Sequence, residues 1–234
     1  MPIRAVIFDK DGTLIDFNRT WGRAAYHVFE DLAGGDPARI EKIAAFSKYD
    51  LDRQLFATDS IIFADATSVY GPLWAALLDE AEGEDFNARV DGLFHRHSLA
   101  YVTPFADTRE TVSRLAEAGF VLGCVTNDAE ACARDHLERI GIGPLFVDVI
   151  GYDSGHGRKP DSGQIVAFAN RIGMPPGEIA VVGDSLHDLH ASRAAGCLTI
   201  AVTTGGHGAE ILAGHADHVL HGLAGLPALL SRAN

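Results

Sequence analysis

The residues able to do chemistry in this 234-residue chain gather in four short stretches, each following an apolar run. Asp9, Lys10, Asp11, Gly12 and Thr13 follow IRAVIF (3–8). Thr126, Asn127 and Asp128 end the run that begins FVLGCV (120–125), Lys159 and Pro160 close the glycine-rich GYDSGHGRKPD (151–161), and Asp184 and Asp188 lie in GDSLHD after IAVV. Asp9 and Asp184 are hard oxygen donors, suited to a Mg²⁺ that keeps several waters and touches a substrate phosphate. A carboxylate can also attack phosphorus and form an aspartyl-phosphate. Asp11, two residues on, could protonate a leaving alkoxide and then take a proton from attacking water. Thr126 and Asn127 offer hydrogen-bond donors to phosphoryl oxygens. Lys159 offsets the charge of crowded carboxylates, which otherwise raise one another's pKa, and Gly12 permits a tight turn beneath them. Positioning and charge neutralisation of this kind are what phosphoryl transfer needs.

Such groups converge only if the apolar runs are neighbouring strands. From about residue 105 the chain alternates strand-like runs at 120–126, 145–150, 179–184, 198–203 and 218–220 with amphipathic segments at 107–118, 129–140, 162–172 and 186–195. That alternation is the pattern of β-α units and a parallel sheet, with ligands collecting beyond the carboxyl ends of the strands. The run at 3–8 is one more such strand, yet almost a hundred residues separate it from the next. The intervening stretch is mostly helix-like (20–34, 38–46, 68–82, 86–102), with a break at 49–63 that could hold a turn or hairpin. A structureless loop of that length does not belong in a compact domain. The expected fold is therefore α/β: a Rossmann-like parallel sheet core flanked by helices (1–16 and 104–234), with a mainly α-helical cap domain (17–103) inserted after the first strand.

The ordered set DKDGT, VTN, KPD and GDSLHD resembles the four motifs of the haloacid dehalogenase superfamily, specifically its phosphatases with a helical cap after the first motif. The resemblance implies Asp9 as nucleophile and metal ligand. Asp11 is then general acid/base and a ligand through its backbone carbonyl, Asp184 completes the protein's ligands to Mg²⁺, and Asp188 orients metal-bound water from behind. It further implies that Thr126 holds phosphate, that Lys159 pairs with nucleophile and phosphate, and that the cap closes over the substrate. Dehalogenases lack the second aspartate, so Asp11 argues for phosphate chemistry. Sugar phosphomutases usually carry Val where this chain has Thr13, which tilts the choice towards hydrolysis. Ion-pumping ATPases share a lysine in DKTGT, but no stretch here approaches the about 18 apolar residues of a membrane span. The carboxyl-terminal ADHVLHGLAGLPALL (216–230) resembles the closing strand and helix of the phosphoglycolate phosphatase-like subgroup. Two rivals stay open: a sugar phosphomutase with the same intermediate, and a non-catalytic domain that binds a phosphorylated metabolite and reports it to a partner.

Bulk properties agree with a globular protein: 47% hydrophobic and 22% charged residues. With 19 Lys and Arg against 32 Asp and Glu, the formal charge of −13 disfavours nucleic acid and anionic membrane as partners. The expected partner is a small phosphate ester. The amino terminus lacks the long apolar segment of a secretory signal. Cys124, Cys132 and Cys197 are odd in number and widely spaced, which suits a reducing cytoplasm. Oligomeric state is not encoded in any of these features.

Each stretch has a plain alternative. DKDGT alone is an ordinary turn, and GDSLHD alone a helix cap with Asp184 near the helix start. Histidines at 207, 215, 218 and 221 match no zinc spacing. Lys10, Phe17, Arg19 and Arg23 are candidates for substrate specificity: Lys10 by pointing away from its aspartates towards cap and substrate, and the arginines by reading a substrate carboxylate. Phe17 could equally be cap core, and the arginines solvated helix residues.

Overall fold

The computed structural model describes residues 2–63 and 65–233. Its first strand, β1 (Ala5–Phe8), reads AVIF and is buried throughout. An apolar run without polar alternation suits a central parallel strand covered on both faces. The chain divides into two compact units, residues 1–16 with 104–234, and residues 17–103.

The 17–103 unit is mainly helical. It holds α1 (Phe17–Ala33), α2 (Pro37–Phe46), the two-residue strands β2 (Tyr49–Asp50) and β3 (Leu55–Phe56), α3 (Thr67–Leu77) and α4 (Glu84–Ser98). On α1 the residues Phe17, Trp21, Ala25, Val28 and Leu32 recur at helical spacing and are buried together. Their partners are aromatic: Trp21 meets Phe94 edge-on at 5.5 Å and Phe29 meets Trp74 at 5.4 Å. Trp74 donates Nε1–H to Ser47 Oγ at 3.1 Å, so its polar edge is satisfied inside the core. The break at 49–63 is an antiparallel pair, Tyr49 opposite Phe56, followed by a 3₁₀ turn at Ile61–Phe63.

The second unit continues from β1 through α5 (Thr108–Glu117), β4 (Val121–Val125), α6 (Glu130–Arg139), β5 (Phe146–Ile150), α7 (Gly163–Ile172), β6 (Ile179–Gly183), α8 (Leu186–Ala195), β7 (Leu198–Val202), α9 (Ala209–Ala213), β8 (His218–Leu220) and α10 (Leu226–Ala233). The strands form one six-stranded sheet in the order β5-β4-β1-β6-β7-β8, with every pair parallel. This is the α/β, Rossmann-like class expected from the alternation of runs. One core cluster packs Ala5 and Ile7 of β1 with Val125, Ile150 and Val181 of the sheet and Ile165 and Phe168 of α7.

First in sequence, β1 is central in space, between β4 and β6. The chain builds outwards on one side of it and then returns to build on the other. At such a reversal the connections leave in opposite directions and open a crevice beyond the strand ends. Register sets Phe8 beside both Cys124 and Val182, so residues 9, 126 and 184 reach the same end of the sheet. All three cysteines are reduced and buried. No helix among the described residues is long and apolar enough to cross a membrane.

Candidate active site

Asp9 prolongs β1 by one residue, its N–H donating to Val182 O at 2.8 Å. The Lys159 ammonium closes on it from the β5–α7 loop. Nζ donates to Asp9 Oδ1 at 2.5 Å, to Asp188 Oδ1 at 2.6 Å and to Val125 O at 3.1 Å, three acceptors for its three hydrogens. Asp188 is held from its other side, because Oδ2 accepts from Ser185 N at 3.0 Å and Ser185 Oγ at 2.6 Å. Ser185, not Asp184, is the N-cap of α8 in a capping box with Asp188. Asp184 is thereby spared from capping; Thr13 Oγ1 donates to its Oδ1 at 2.9 Å.

Two glycines give the Asp184 carboxylate its room. A Cβ on Gly12, whose φ is +86°, would lie 2.4 Å from Asp184 Oδ2, and one on Gly205 only 1.7 Å from the same oxygen. Gly12 therefore serves both a left-handed turn and close approach. Thr204 Oγ1 donates to Gly12 O at 2.6 Å and ties the loop after β7 to the loop after β1.

Asp9, Asp184 and Asp188 are all buried and bring one oxygen each within 4.8 Å of one another. One ammonium faces three carboxylates. Burial, reinforced by Asp188 and Asp11 and opposed by Lys159, pushes the Asp9 carboxyl up to about 7. Burial and then the charges of Asp9 and Asp188 hold Asp184 well above the usual carboxylate range. Burial also acts on Asp188, but the ion pair with Lys159 outweighs it and the carboxyl sits below its ordinary value. Lys159 thus keeps Asp188 ionised, and ionising Asp9 and Asp184 as well would leave negative charge that the one ammonium does not balance. An all-oxygen, anionic donor set of this kind fits Mg²⁺ and suits neither a soft nor an imidazole-preferring metal.

Thr126 is buried beside this cluster, its carbonyl accepting from Gln164 Nε2 at 2.9 Å and its Oγ1 from Asp128 N at 3.0 Å. The Asn127 carboxamide pairs with the Lys159 backbone: Nδ2 donates to Lys159 O at 3.0 Å and Oδ1 accepts from Lys159 N at 2.9 Å. It fixes the lysine's backbone, because a two-bond amide match across adjacent loops satisfies buried polar groups on both. Lys10, read as pointing towards cap and substrate, is 0% exposed. Continuing the alternation of β1, it projects to the face opposite Asp9 and meets Asp11 Oδ2 at 2.7 Å and Asp128 Oδ2 at 3.0 Å. Those two carboxylates overcome the cost of burial and hold the ammonium above its ordinary pKa.

Phe17 is likewise a core residue of its own unit, stacked on Phe63 at 4.0 Å and edge-on to Phe56 at 5.7 Å. It begins the buried stripe of α1, which is why it points inward. Arg19 and Arg23 are exposed on the same helix, with the Arg23 guanidinium 5.9 Å from the Tyr101 ring. His190 is exposed and its Nε2 lies 3.2 Å from His215 Nδ1. The residues that sequence reasoning missed are Thr13 as a donor to Asp184, Asp128 as a partner of Lys10, and Gly205. Thr13 was visible within DKDGT; nothing in the sequence singles out Gly205, whose role depends on two loops meeting.

Residues 3–196 match the family model for haloacid dehalogenase-like hydrolases. A phosphoglycolate phosphatase from Aliivibrio fischeri is 30% identical over 238 residues, covering 99% of this chain and 98% of that protein. The pyrophosphatase PpaX of Bacillus velezensis is 28% identical, covering 96% of this chain and 94% of the relative. Among solved structures, a predicted phosphoglycolate phosphatase from Haemophilus somnus superposes with a TM-score of 0.72 at 21% identity, covering 97% of both chains.

Proposed function

The chain belongs to the haloacid dehalogenase-like hydrolase family, and from that membership we propose that it is a Mg²⁺-dependent phosphatase of small phosphomonoesters working through an aspartyl-phosphate on Asp9. A phosphoglycolate-like phosphorylated acid is the first substrate to try, since a relative of that name aligns over nearly the whole length. The reduced, buried thiols suit a cytoplasmic setting. The observation that carries the reading is the buried Asp9, Asp184 and Asp188 set around one lysine at the strand ends.

In the first half-reaction an Asp9 oxygen bonds to phosphorus as the ester P–O bond breaks, and Asp11 gives its proton to the departing alkoxide. In the second, Asp11 takes a proton from water, whose oxygen bonds to phosphorus as the bond to Asp9 breaks. Alcohol and inorganic phosphate leave, and both aspartates return to their starting state. Lys159 orients Asp9 and neutralises the incoming phosphate, while the Thr126 hydroxyl donates to a phosphoryl oxygen. Asn127 and Asp188 act one step back, by fixing the lysine. The Asp9 and Asp184 carboxylates with the Asp11 carbonyl would hold Mg²⁺, which supplies further neutralisation of the transferred group, with Asp188 behind them.

The direct test follows free phosphate across phosphorylated acids, sugar phosphates, nucleotides and pyrophosphate, with Mg²⁺ and with a chelator. Mg²⁺-dependent release from at least one monoester is expected. Release from none, or equal release under chelation, overturns the proposal. Isomer formation without free phosphate would instead indicate a mutase.

Two variants probe the Asp184 position. Asp184→Asn removes a carboxyl whose folded pKa lies above its unfolded value. Above the unfolded pKa the unfolded chain ionises first, so the wild type loses stability as pH rises towards the folded pKa. Without Mg²⁺, the variant should melt roughly 5 °C above wild type at about pH 8, and the gap should close near about pH 4. Added Mg²⁺ should raise the wild-type Tm and leave the variant's unchanged. An equal Mg²⁺ response in both would remove Asp184 from the metal site. Gly205→Ala places a methyl against Asp184 Oδ2. Displacing that carboxylate should lower kcat/KM by about 100-fold with the fold retained, as read by phosphate release and circular dichroism. Unchanged kcat/KM would mean the loop yields instead.

A further inference from the structure

Lys10 is a charged side chain with no exposed surface, and the catalytic scheme above leaves it unused. Its ammonium lies 2.7 Å from Asp11 Oδ2, 3.0 Å from Asp128 Oδ2 and 3.3 Å from His136 Nδ1. The second and third partners are anchored. Asp128 Oδ1 accepts from Ala129 N at 2.8 Å, and its own N–H donates to Thr126 Oγ1 at 3.0 Å. His136 is fully buried on α6, with Nε2 3.6 Å from Cys132 Sγ. With Nδ1 accepting from Lys10, that ring carries its proton on Nε2 and faces the sulfur with it.

Asp128, Cys132 and His136 recur at one-turn spacing and bring ligand atoms within 4.8 Å of one another, an arrangement that could hold a transition metal. Lys10 Nζ already sits against two of them, so the chain supplies its own cation there. Filling that space alone would favour an apolar residue, because a buried ion pair is seldom better than a hydrocarbon of equal volume. The charge has a direction, however. Both carboxylate partners are equally exposed at 14%, but Asp128 is tied back into the loop after β4, whereas Asp11 stands in the loop after β1, two residues from Asp9.

We propose that Lys10 is a positioning residue for Asp11: braced by Asp128 and His136, its ammonium holds Asp11 Oδ2 and presents the other oxygen for proton transfer to the leaving group. The inference rests on the reading of Asp11 as general acid. A tether from the buried side fixes the carboxyl's rotamer before substrate arrives, so no ordering of that group is needed during reaction. It also links the loop after β1 to the loop after β4, since Asp128 N bonds to the same Thr126 hydroxyl assigned to phosphate.

A general acid matters in proportion to how badly the leaving group needs a proton. An alkoxide needs one and a nitrophenolate does not. The test therefore compares kcat/KM, which reports transfer of the phosphoryl group to the enzyme, for phosphoglycolate and for p-nitrophenyl phosphate. In Lys10→Met the alkyl ester should lose about 100-fold and the aryl ester less than about 5-fold. In an Asp11→Asn background, adding Lys10→Met should cost the alkyl ester less than about 3-fold more, because the tether then has nothing to position. Lys10→Met strands the Asp128 carboxylate, so Lys10→Met/Asp128→Asn is measured beside it. That variant removes the buried charges together and should show the same split between esters. Equal losses on both esters, no loss on either, or full additivity with Asp11→Asn would overturn the proposal. A wild-type protein inactive on both esters would overturn the hydrolase reading beneath it.

Discussion

Asp9→Asn is expected to lower kcat on any monoester the wild type accepts by about 10⁴-fold or more. The amide is close in shape to the carboxylate and keeps an oxygen facing Lys159, so geometry is nearly conserved. What disappears is the nucleophile: a carboxamide oxygen is too weak to displace an alkoxide from phosphorus. The variant also separates chemistry from folding, because the wild-type carboxyl is pushed up to about 7 chiefly by burial. Its folded pKa exceeds the unfolded one, so ionising it opposes folding as pH rises through that window. Above about pH 7, without Mg²⁺, Asp9→Asn should therefore melt no lower than wild type. Single-turnover phosphate release and thermal melts check both halves. Hydrolysis within tenfold of wild type would remove Asp9 as nucleophile, and a lower Tm would contradict the electrostatic reading.

Lys159→Met should damage stability and rate together. The lysine pairs with both Asp9 and Asp188, and both pairs are buried. Removing one member of a buried pair leaves its partners uncompensated, at a cost of about 3–5 kcal/mol. The pH dependence has a definite sign. Lys159 holds Asp188 below its ordinary value against the pull of burial. That stabilisation is present above the unfolded pKa and is lost as pH falls through the folded one. The deficit of Lys159→Met should therefore be large at about pH 8 and shrink only below about pH 4, as read from urea denaturation at about pH 8 and about pH 3. A constant deficit would mean that packing of the methylenes dominates. On the rate side, losing the charge that faces the phosphate should lower kcat/KM by on the order of 10³-fold. A loss under tenfold would place Lys159 outside the site.

Much of the fold is legible in the sequence because parallel strands and amphipathic helices have different periods. AVIF, VLGCV, IAVVG and LTIAV are apolar without alternation and bounded by turn residues, and each is a strand in the structure. The stretch at 49–63 was less readable, because two-residue strands are too short to show a period. The acidic residues of the site were legible for a similar reason: Asp9 and Asp184 stand one residue past a strand end, where an open parallel sheet collects its ligands.

Lys10 and Asn127 show where that reading stops. Asn127 sits at a strand end, and its amide pairs with the Lys159 backbone across a separation of 32 residues. Lys10 is flanked by two aspartates, and its sequence neighbours suggest a polar surface. Its real surroundings include Asp128 and His136, which come from the next β-α unit.

The sequence alone determined the α/β class, the order of the four motifs and the chemical types present, because strand period, turn residues and donor type are local properties. Only the tertiary structure decided which carboxylates share an ammonium, where Lys10 points and why residue 205 is glycine. Those outcomes follow from distances between segments remote in the chain, and a charge buried by folding is paired by whatever the fold brings within hydrogen-bond reach.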